Sequence, residues 1–437
     1  MISKLLKRLK PPKRIPLDNA AQFFSGTSSC NDTWVFRLTC ELNEAVDPWT
    51  LQYAAEDALK KYPLYGSVLH KGLFWYSLEE SKRQPIVREE RTSPCRTLYK
   101  RSCKCLQFSI TYFSERINLE VYHALSDGVG ALSFFKVLIS SYLIRKHPEC
   151  GLNPDTLKDE LSWECADEDG FKTYYSGISI REAFKDQSTA QRDRSWKKRG
   201  YQLGGARERG CKIKLIVGVA DAGAVVAKAH EYGVTATVLL TAVLMLAIQR
   251  TRTMTIKNRP IVVAIPVNLR KYFPCKSARN FFQVINVGHY FHREKDSLSE
   301  VMKHVGEQLV RGLTPEGLTT RMNALCSLEY NPILRLIPRQ GKDAALRMAG
   351  IFGSINTTSV SNLGEISIPP ALKPYICLFD FTTSTRRLQL NVCSYENQMV
   401  MDIASRLKST KIQEEFFSIL SEMGIMIRCK SNYYQGG

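Results

Sequence analysis

The sequence predicts an α+β protein built from two domains with mixed sheets. Its 437 residues are too many for one ordinary domain and suit two domains of roughly 200 residues each. Strand-like and helix-like segments follow one another in mixed order, with hairpins, rather than in strict alternation. Neither GxGxxG nor GxxxxGK[ST] occurs, so the sequence indicates neither a dinucleotide-binding fold nor a P-loop.

The predicted elements of the first half are strands with alternating apolar residues and helices with an apolar face. A strand over 33–42 precedes a helix that Asp47 and Pro48 open and that ends near Pro63. Further strand segments lie within 67–80, a hairpin over 105–128, and a helix over 128–148.

The second half begins after a polar stretch, 148–211, whose change from acidic to basic and Gly-rich composition marks a crossover. Beyond it the apolar patterns predict strands at 212–220, 260–270, 283–294 and 356–364, a hairpin over 388–405, and helices at 221–233, 235–251, 297–313, roughly 332–350 and 411–423. The chain thus divides into a basic N-terminal tail (1–17), an N-terminal domain (18–195), a crossover linker (196–211) and a C-terminal domain (212–437).

The net charge is strongly positive, at +19 from 61 basic and 42 acidic residues, so the surface should attract anions. Nucleic acid, anionic lipid and phosphorylated cofactors would all fit. The basic residues are scattered, and no helix-turn-helix, zinc-finger or RNP-type signature occurs, so we expect no nucleic-acid partner.

Cysteine usage and hydropathy predict a cytoplasmic protein. The 13 cysteines form no disulfide framework, and no secretory apolar segment follows Met1. The longest apolar run, 238–248, is too short to span a bilayer. The segment 1–14 places leucines on one helical face and lysines on the other, which fits either a mobile basic tail or a weak membrane-surface contact.

His123 is the first candidate for chemistry. It follows a predicted strand on the face shared by apolar neighbours, and glycines 128 and 130 allow a sharp turn into the next helix. A neutral imidazole there could take a proton from a hydroxyl, amine or thiol, although a histidine on an apolar face is also common in protein cores. Asp127 could accept from a backbone amide, orient His123 or pair with a distant arginine.

A metal site is not expected, because His123 and Asp127 lack an evident third ligand. His289 and His292 lie three apart on a predicted strand and should therefore face opposite sides.

The segment HALSDG (123–128) resembles the HxxxDG motif of the chloramphenicol acetyltransferase-like superfamily. That superfamily includes nonribosomal peptide condensation domains, plant BAHD-type acyltransferases, wax ester synthases and alcohol acetyltransferases. LKKYPLYGSVLHKGLFWYSLE, VVAIPVNLRKYFPCKSARNFF and SVSNLGEISIPP are similar to segments of the alcohol acetyltransferase branch, notably its bacterial members. The resemblance extends from about residue 18 to residue 424.

The resemblance implies two chloramphenicol acetyltransferase-like domains, packed side by side, with an active-site tunnel at their interface. It makes His123 the base that deprotonates the acceptor, without an acyl-enzyme, and gives Asp127 a structural role in an ion pair. Arg270 matches the family's arginine position and is the first choice as its partner, with Arg37 as the alternative. Gly128 would make the turn that presents the histidine.

The resemblance also implies a donor to the oxyanion of the tetrahedral intermediate. The segment NTTSVSNLG offers Thr358, Ser359, Ser361 and Asn362, of which Ser361 and Asn362 are favoured, and Asn280 is a further candidate. These residues could equally end a strand and make a turn.

The expected function is therefore transfer of an acyl group, with O-acetylation favoured, from acyl-CoA as co-substrate to a small alcohol. No bound cofactor is expected, and the basic surface would contact the phosphates of coenzyme A. The alternatives are transfer to an amine or from a carrier-protein thioester, and a non-catalytic binding protein of the same fold.

Overall fold

The computed structural model describes residues 13–99, 104–154, 168–182, 200–209, 212–252, 259–291, 296–353, 355–384 and 386–431. Most of the predicted basic tail (1–12), and residues 196–199 and 210–211 of the predicted linker, lie outside these ranges.

The described chain forms mixed sheets, as the sequence predicts. The strands are β1 (Arg14–Pro16), β2 (Val35–Leu42), β3 (Ser67–Lys71), β4 (Tyr76–Glu80), β5 (Arg88–Glu89), β6 (Phe108–Phe113), β7 (Arg116–Tyr122), β8 (Lys214–Asp221), β9 (Ile261–Asn268), β10 (Phe282–His289), β11 (Thr358–Glu365), β12 (Ile376–Thr383), β13 (Gln389–Tyr395), β14 (Gln398–Ser405) and β15 (Ile427–Ser431). The helices are α1 (Asn19–Thr27), α2 (Pro48–Lys61), α3 (Gly128–Lys146), α4 (Gly170–Tyr174), α5 (Ala222–Glu231), α6 (Ala236–Thr251), α7 (Leu298–Gly312), α8 (Pro315–Tyr330), α9 (Pro332–Leu336), α10 (Arg339–Gly353) and α11 (Lys411–Glu422).

Two larger sheets organise the fold, and a small sheet, β1-β4-β3, lies beside them. The five-stranded sheet has the order β12-β2-β7-β6-β5, with β5 parallel to β6 and the other pairs antiparallel. The seven-stranded sheet has the order β10-β9-β11-β13-β14-β8-β15, and β11 is parallel to both of its neighbours.

Each larger sheet buries one helix that is apolar on every side. α3 packs against α2 and the five-stranded sheet, and α6 packs against α11, α7 and the seven-stranded sheet. A helix without a polar face is stable only when it is surrounded by other elements. By length and composition α3 could cross a membrane, but most of it is buried inside the fold, which identifies it as a core helix.

Several elements differ from the sequence-based expectations. The expected helix over 332–350 is two helices, α9 and α10, because Pro338 lacks an N–H and disfavours helical geometry at Ile337. Helices α1, α4 and α8 and strands β1, β5, β12 and β15 were not predicted. Strand β12 lies in the C-terminal half of the chain but pairs with β2 at the edge of the five-stranded sheet.

Candidate active site

His123 lies one residue beyond the end of β7, at the turn that leads into α3. Its N–H still donates to the carbonyl of Trp34 at 2.9 Å, so the chain remains attached to the start of β2. Leu125 then donates to the carbonyl of Tyr122 at 2.8 Å, which closes a tight turn. The turn holds the histidine in a defined position between a strand and a helix.

The imidazole of His123 lies in an aromatic setting and is half-buried. Its ring centroid is 4.6 Å from that of Phe24, on which it stacks, and 4.6 Å from that of Phe36. Burial disfavours the imidazolium and lowers the pKa of His123 to about 4, with Asp127 and Asn280 acting in the opposite direction. The ring is therefore neutral at physiological pH.

The two nitrogens of this ring differ in their surroundings. Nδ1 is buried and has no hydrogen-bond partner among the described residues, whereas Nε2 is not among the buried polar atoms without a partner. His123 also contributes to the lining of a cavity of about 1870 Å³. This arrangement favours Nε2 as the nitrogen that meets a ligand.

Asp127 caps α3 and is engaged on both carboxylate oxygens. Oδ1 accepts from the N–H of Gly130 at 2.9 Å, and Oδ2 accepts from the N–H of Phe281 and from Arg270, each at 2.8 Å. The side chains of Asp127 and Arg270 are 5% and 6% exposed. No hydrogen bond joins Asp127 to His123 in the described structure, so the two residues do not form a dyad.

The two candidate arginines occupy different places. Arg270 also donates to the carbonyls of Ser277 and Arg279, so its guanidinium is held by the loop that precedes β10. Arg37 instead pairs with Glu90 and Glu120 on the five-stranded sheet. Arg270 is therefore the ion-pair partner of Asp127.

The glycines of the turn are required by close packing rather than by a left-handed backbone. Neither Gly128 nor Gly130 has a positive φ. A Cβ at Gly128 would meet the flexible end of Leu363 at 2.9 Å, whereas a Cβ at Gly130 would lie 2.0 Å from the carbonyl oxygen of Ala278. Gly130 is the stricter requirement, because a backbone carbonyl cannot move aside as a side chain can.

Asn280 lies behind His123 rather than on the cavity surface, contrary to the expectation of a substrate-facing residue. It is 2% exposed and donates to the carbonyl of His123 at 2.9 Å and to Asp18 at 3.2 Å. Asp18 also caps α1 by accepting from Ala21 at 2.8 Å. Asn280 thus connects the histidine to the N-terminal end of α1, a link that the sequence did not indicate.

Strand β11 faces the histidine's cavity from the other sheet. Ser359 and Ser361 alternate with core residues and line the cavity, and the buried hydroxyl of Ser359 has no hydrogen-bond partner among the described residues. Asn362 also lines it, but its amide donates to Thr237 at 3.0 Å and accepts from Gly364 at 2.7 Å. Thr358 is buried and donates to the carbonyl of Leu388.

The cavity has a volume of about 1870 Å³ and lies between the two larger sheets. Val35 and Phe381 line it from the five-stranded sheet, and Ala264 and Ser359 from the seven-stranded sheet. One part of the wall is basic, with Arg207, Arg386 and Arg387. Another part, formed by α8, α9 and α10, carries the apolar side chains Leu325, Leu328, Leu334, Ile337 and Leu346 together with the charged Arg321, Glu329, Lys342 and Arg347.

Asp32 lies in the basic part of the wall. Burial raises the pKa of its carboxyl to about 7, although Arg386, Arg387 and Arg406 act against this shift. Arg406 also donates to the carbonyl of Asn31 at 2.9 Å. The charges gathered here make this region a candidate for binding an anionic group.

The described residues contain no group of three His, Cys, Asp or Glu side chains placed to hold a metal ion. His289 lies on β10 beside His304, with 3.1 Å between their Nδ1 atoms, while His292 lies outside the described ranges.

A comparison with protein-family models and with curated proteins gives no match for the sequence. Solved structures do match over nearly the whole chain. A trichothecene 15-O-acetyltransferase from Fusarium sporotrichioides is 11% identical with a TM-score of 0.64, and the match covers 94% of each chain. The first condensation domain of the CDA synthetase is 14% identical with a TM-score of 0.65, covering 94% of this chain and 96% of that one.

Polyketide synthase associated protein 5 from Mycobacterium tuberculosis is similar as well, at 13% identity and a TM-score of 0.62, covering 94% of this chain and 98% of that one. These identities are low, so the likeness concerns the fold. The chain has the chloramphenicol acetyltransferase-like fold of condensation domains and related acyltransferases, with mixed sheets on both sides of its cavity.

Proposed function

We propose that this protein transfers an acyl group from a coenzyme A thioester to an alcohol, with His123 as the general base. The observation that carries the proposal is the neutral imidazole of His123, which lines a cavity enclosed by both sheets. The fold, shared with an acetyltransferase and with condensation domains, supports acyl transfer as the reaction class.

In the proposed reaction, Nε2 of His123 takes the proton of the acceptor hydroxyl while the oxygen attacks the thioester carbonyl. The tetrahedral intermediate then expels the thiolate of coenzyme A, which receives the proton from the imidazolium. The negative charge that develops on the carbonyl oxygen stabilises the neighbouring imidazolium, which offsets the low basicity that burial gives the ring. No acyl-enzyme is required.

Ser359 and Ser361 are the proposed donors to the oxyanion. Both lie on the cavity face of β11, and the hydroxyl of Ser359 is buried without a partner among the described residues. A buried donor with no partner costs free energy unless a ligand satisfies it, which supports a role in binding. Asn362 is a weaker candidate because Thr237 and Gly364 already occupy its amide group.

The basic part of the wall is the proposed site for the phosphates of coenzyme A. Arg207 and Arg386 are exposed at the cavity, where guanidinium groups can form charge-assisted hydrogen bonds to phosphate oxygens. The apolar side chains of α8, α9 and α10 then remain for the acyl chain or the acceptor.

A thiol-release assay with acetyl-CoA and a panel of alcohols tests the proposal. General-base catalysis contributes about 10²–10⁴-fold, so His123→Ala should lose about that much activity. His230→Ala, which alters an exposed histidine on α5, is the matched control and should retain full activity. Equal thiol release by the His123 variant and the wild type would contradict the mechanism.

The second candidate is transfer to an amine, or from a carrier-protein thioester, which the similarity to condensation domains favours. Turnover with amines but with no alcohol in the panel would identify that reaction and would keep His123 as the base. The absence of turnover with every donor and acceptor would favour a binding protein of the same fold.

A further inference from the structure

We propose that an apolar surface beside the cavity docks onto an anionic lipid bilayer and admits a lipophilic substrate from it. The surface, here called the α9 surface, consists of Leu73 and Phe74 in the β3–β4 turn together with Ile333, Leu336 and Ile337. All five side chains are exposed. The lipophilic substrate rests on the proposed acyl transfer, whereas the docking does not.

The two segments of the α9 surface form one continuous patch. The N–H of Arg339, just after α9, donates to the carbonyl of Leu73 at 2.9 Å. The ammonium of Lys342 donates to the carbonyls of Phe74 and Arg335, at 3.2 and 3.3 Å. These bonds hold the turn against the end of α9 and the start of α10, which brings the two exposed apolar segments next to each other.

The exposure of this patch is high for aliphatic side chains. Ile333, Leu336 and Leu73 are 75%, 74% and 68% exposed. A contiguous exposed apolar patch with a polar rim is typical of a surface that meets a membrane or another protein. An apolar face enters a bilayer interface by only about 5–10 Å, a depth that side chains protruding from a short helix and a turn can reach.

The charge around the patch selects an anionic surface as its partner. Arg335, on α9 itself, is exposed and forms no ion pair with any residue in the described ranges. The nearest carboxylate of α10, Asp343, is buried and accepts from Arg339 at 3.0 Å and from Tyr76 at 2.8 Å. The rim therefore presents positive charge that Asp343 does not neutralise.

Electrostatic attraction to acidic lipids strengthens such contacts by about 1 kcal/mol per basic residue near the membrane surface. The net charge of +19 acts in the same direction over longer distances. An acidic bilayer matches both the apolar centre and the basic rim, whereas a neutral protein surface would match the centre alone.

The α9 surface is continuous with the cavity. Ile337 belongs to the surface and also lines the cavity, where Leu334 and Leu328 lie as well. Trp75, next to Phe74, lines the cavity too, and the ammonium of Lys342 lies 3.3 Å from the centroid of its ring. A lipophilic alcohol or acyl chain could therefore pass from a bilayer into the cavity along apolar side chains.

Vesicle co-sedimentation of the full chain tests the docking. We expect binding to vesicles of phosphatidylcholine with 30 mol% phosphatidylglycerol to be at least about tenfold tighter than to phosphatidylcholine alone, and to weaken with salt. The double variant Ile333→Glu/Leu336→Glu should lose at least about tenfold in this binding, because two charges would enter the apolar contact.

The matched control is Val310→Glu/Met426→Glu, which places two carboxylates at positions that are 70% and 89% exposed on other parts of the surface. Circular dichroism establishes that both double variants are folded. Equal losses in the two double variants, or unchanged binding of the α9 variant, would overturn the proposal. A wild-type dimer that the α9 variant converts to a monomer would also overturn it and would assign the patch to a second copy of the chain.

Two further measurements separate this proposal from the proposed function. His123→Ala should bind vesicles as the wild type does, whether or not the protein is an enzyme. If acyl transfer is observed, the α9 variant should keep its rate with a short soluble alcohol and lose at least about tenfold with a long-chain alcohol presented in anionic vesicles. Loss of both rates would contradict a role confined to the membrane.

Discussion

Asp127 and Arg270 form a buried ion pair of 2.8 Å. In the described structure neither side chain forms a hydrogen bond with His123. The pair joins the start of α3 to the end of β9, which are distant in sequence but adjacent to the histidine. Its function follows from its position: it fixes the turn on which His123 lies.

Asp127→Ala should reduce the free energy of unfolding by about 3–5 kcal/mol, because it leaves the buried Arg270 without its partner and removes the cap of α3. Urea denaturation measures this loss. Asp221→Ala is the control, since Asp221 caps α5 in an exposed position and should cost only about 1 kcal/mol. Equal losses in the two variants would show that the ion pair has little structural importance.

The pH dependence of activity should report the lowered pKa of His123. Its pKa of about 4 lies below the ordinary value of 6.5, so kcat/KM should fall only as the pH approaches 4. The unfolded histidine binds a proton near pH 6.5, so the folded state should lose stability as the pH falls from 6.5 to 4. NMR titration of the imidazole gives the pKa without catalysis, and a midpoint near 6.5 would contradict it.

Gly130→Ala should destabilise the protein by about 1–3 kcal/mol or more, because its Cβ would meet the carbonyl oxygen of Ala278 and displace the start of α3. Gly204→Ala is the control, since nothing lies within 4 Å of its Cβ position. Thermal unfolding compares the two. A wild-type Tm for Gly130→Ala would be inconsistent with the packing described around the turn.

Glu329→Gln should stabilise the protein at alkaline pH. Burial raises the pKa of Glu329 to about 7, with Asp169 and Asp18 adding to the rise, so ionisation opposes folding as the pH increases from 4.5 through 7. The variant avoids this penalty and should gain roughly 1–2 kcal/mol at pH 8 and little at pH 4.5. Glu365→Gln, at an exposed site, should change neither value, and a gain independent of pH would refute the explanation.

Arg386→Glu should raise the KM for acyl-CoA by about tenfold or more with little change in kcat, because a phosphate contact is made equally in the ground and transition states. Initial-rate kinetics measure both constants. Arg428→Glu, at an exposed position on β15, makes the same change of charge and should leave KM unaltered. Equal effects of the two variants would mean that only overall charge matters.

The regular elements of the fold could largely be predicted from the sequence, because most of them carry a clear apolar period. Strand β12 was missed because its partner, β2, is more than 300 residues away in sequence, and no local sequence pattern indicates such a pairing. Helix α8 is mainly polar, yet Thr314 at its cap and Pro315 at its first position gave a signal that could have indicated its start.

The site was less accessible to prediction than the fold. The sequence could suggest His123, Asp127 and Arg270 through the resemblance of their motifs. It could not show that the amide of Asn280 donates to the carbonyl of His123, because the direction of a side chain in a loop depends on how the loop packs in the folded protein. The stacking of Phe24 on His123 could not be predicted either, because α1 contacts the histidine only in the folded chain.

The contribution of β12 to the five-stranded sheet has a consequence for biosynthesis. During translation the edge of β2 remains uncovered until Thr383 has left the ribosome, long after the rest of that sheet has been made. An open edge of this kind can pair with other chains, so the nascent protein passes through a period in which it is prone to aggregation. A polypeptide that stops before residue 376 would retain that open edge permanently, and the two halves are therefore expected to be soluble only when they are produced together.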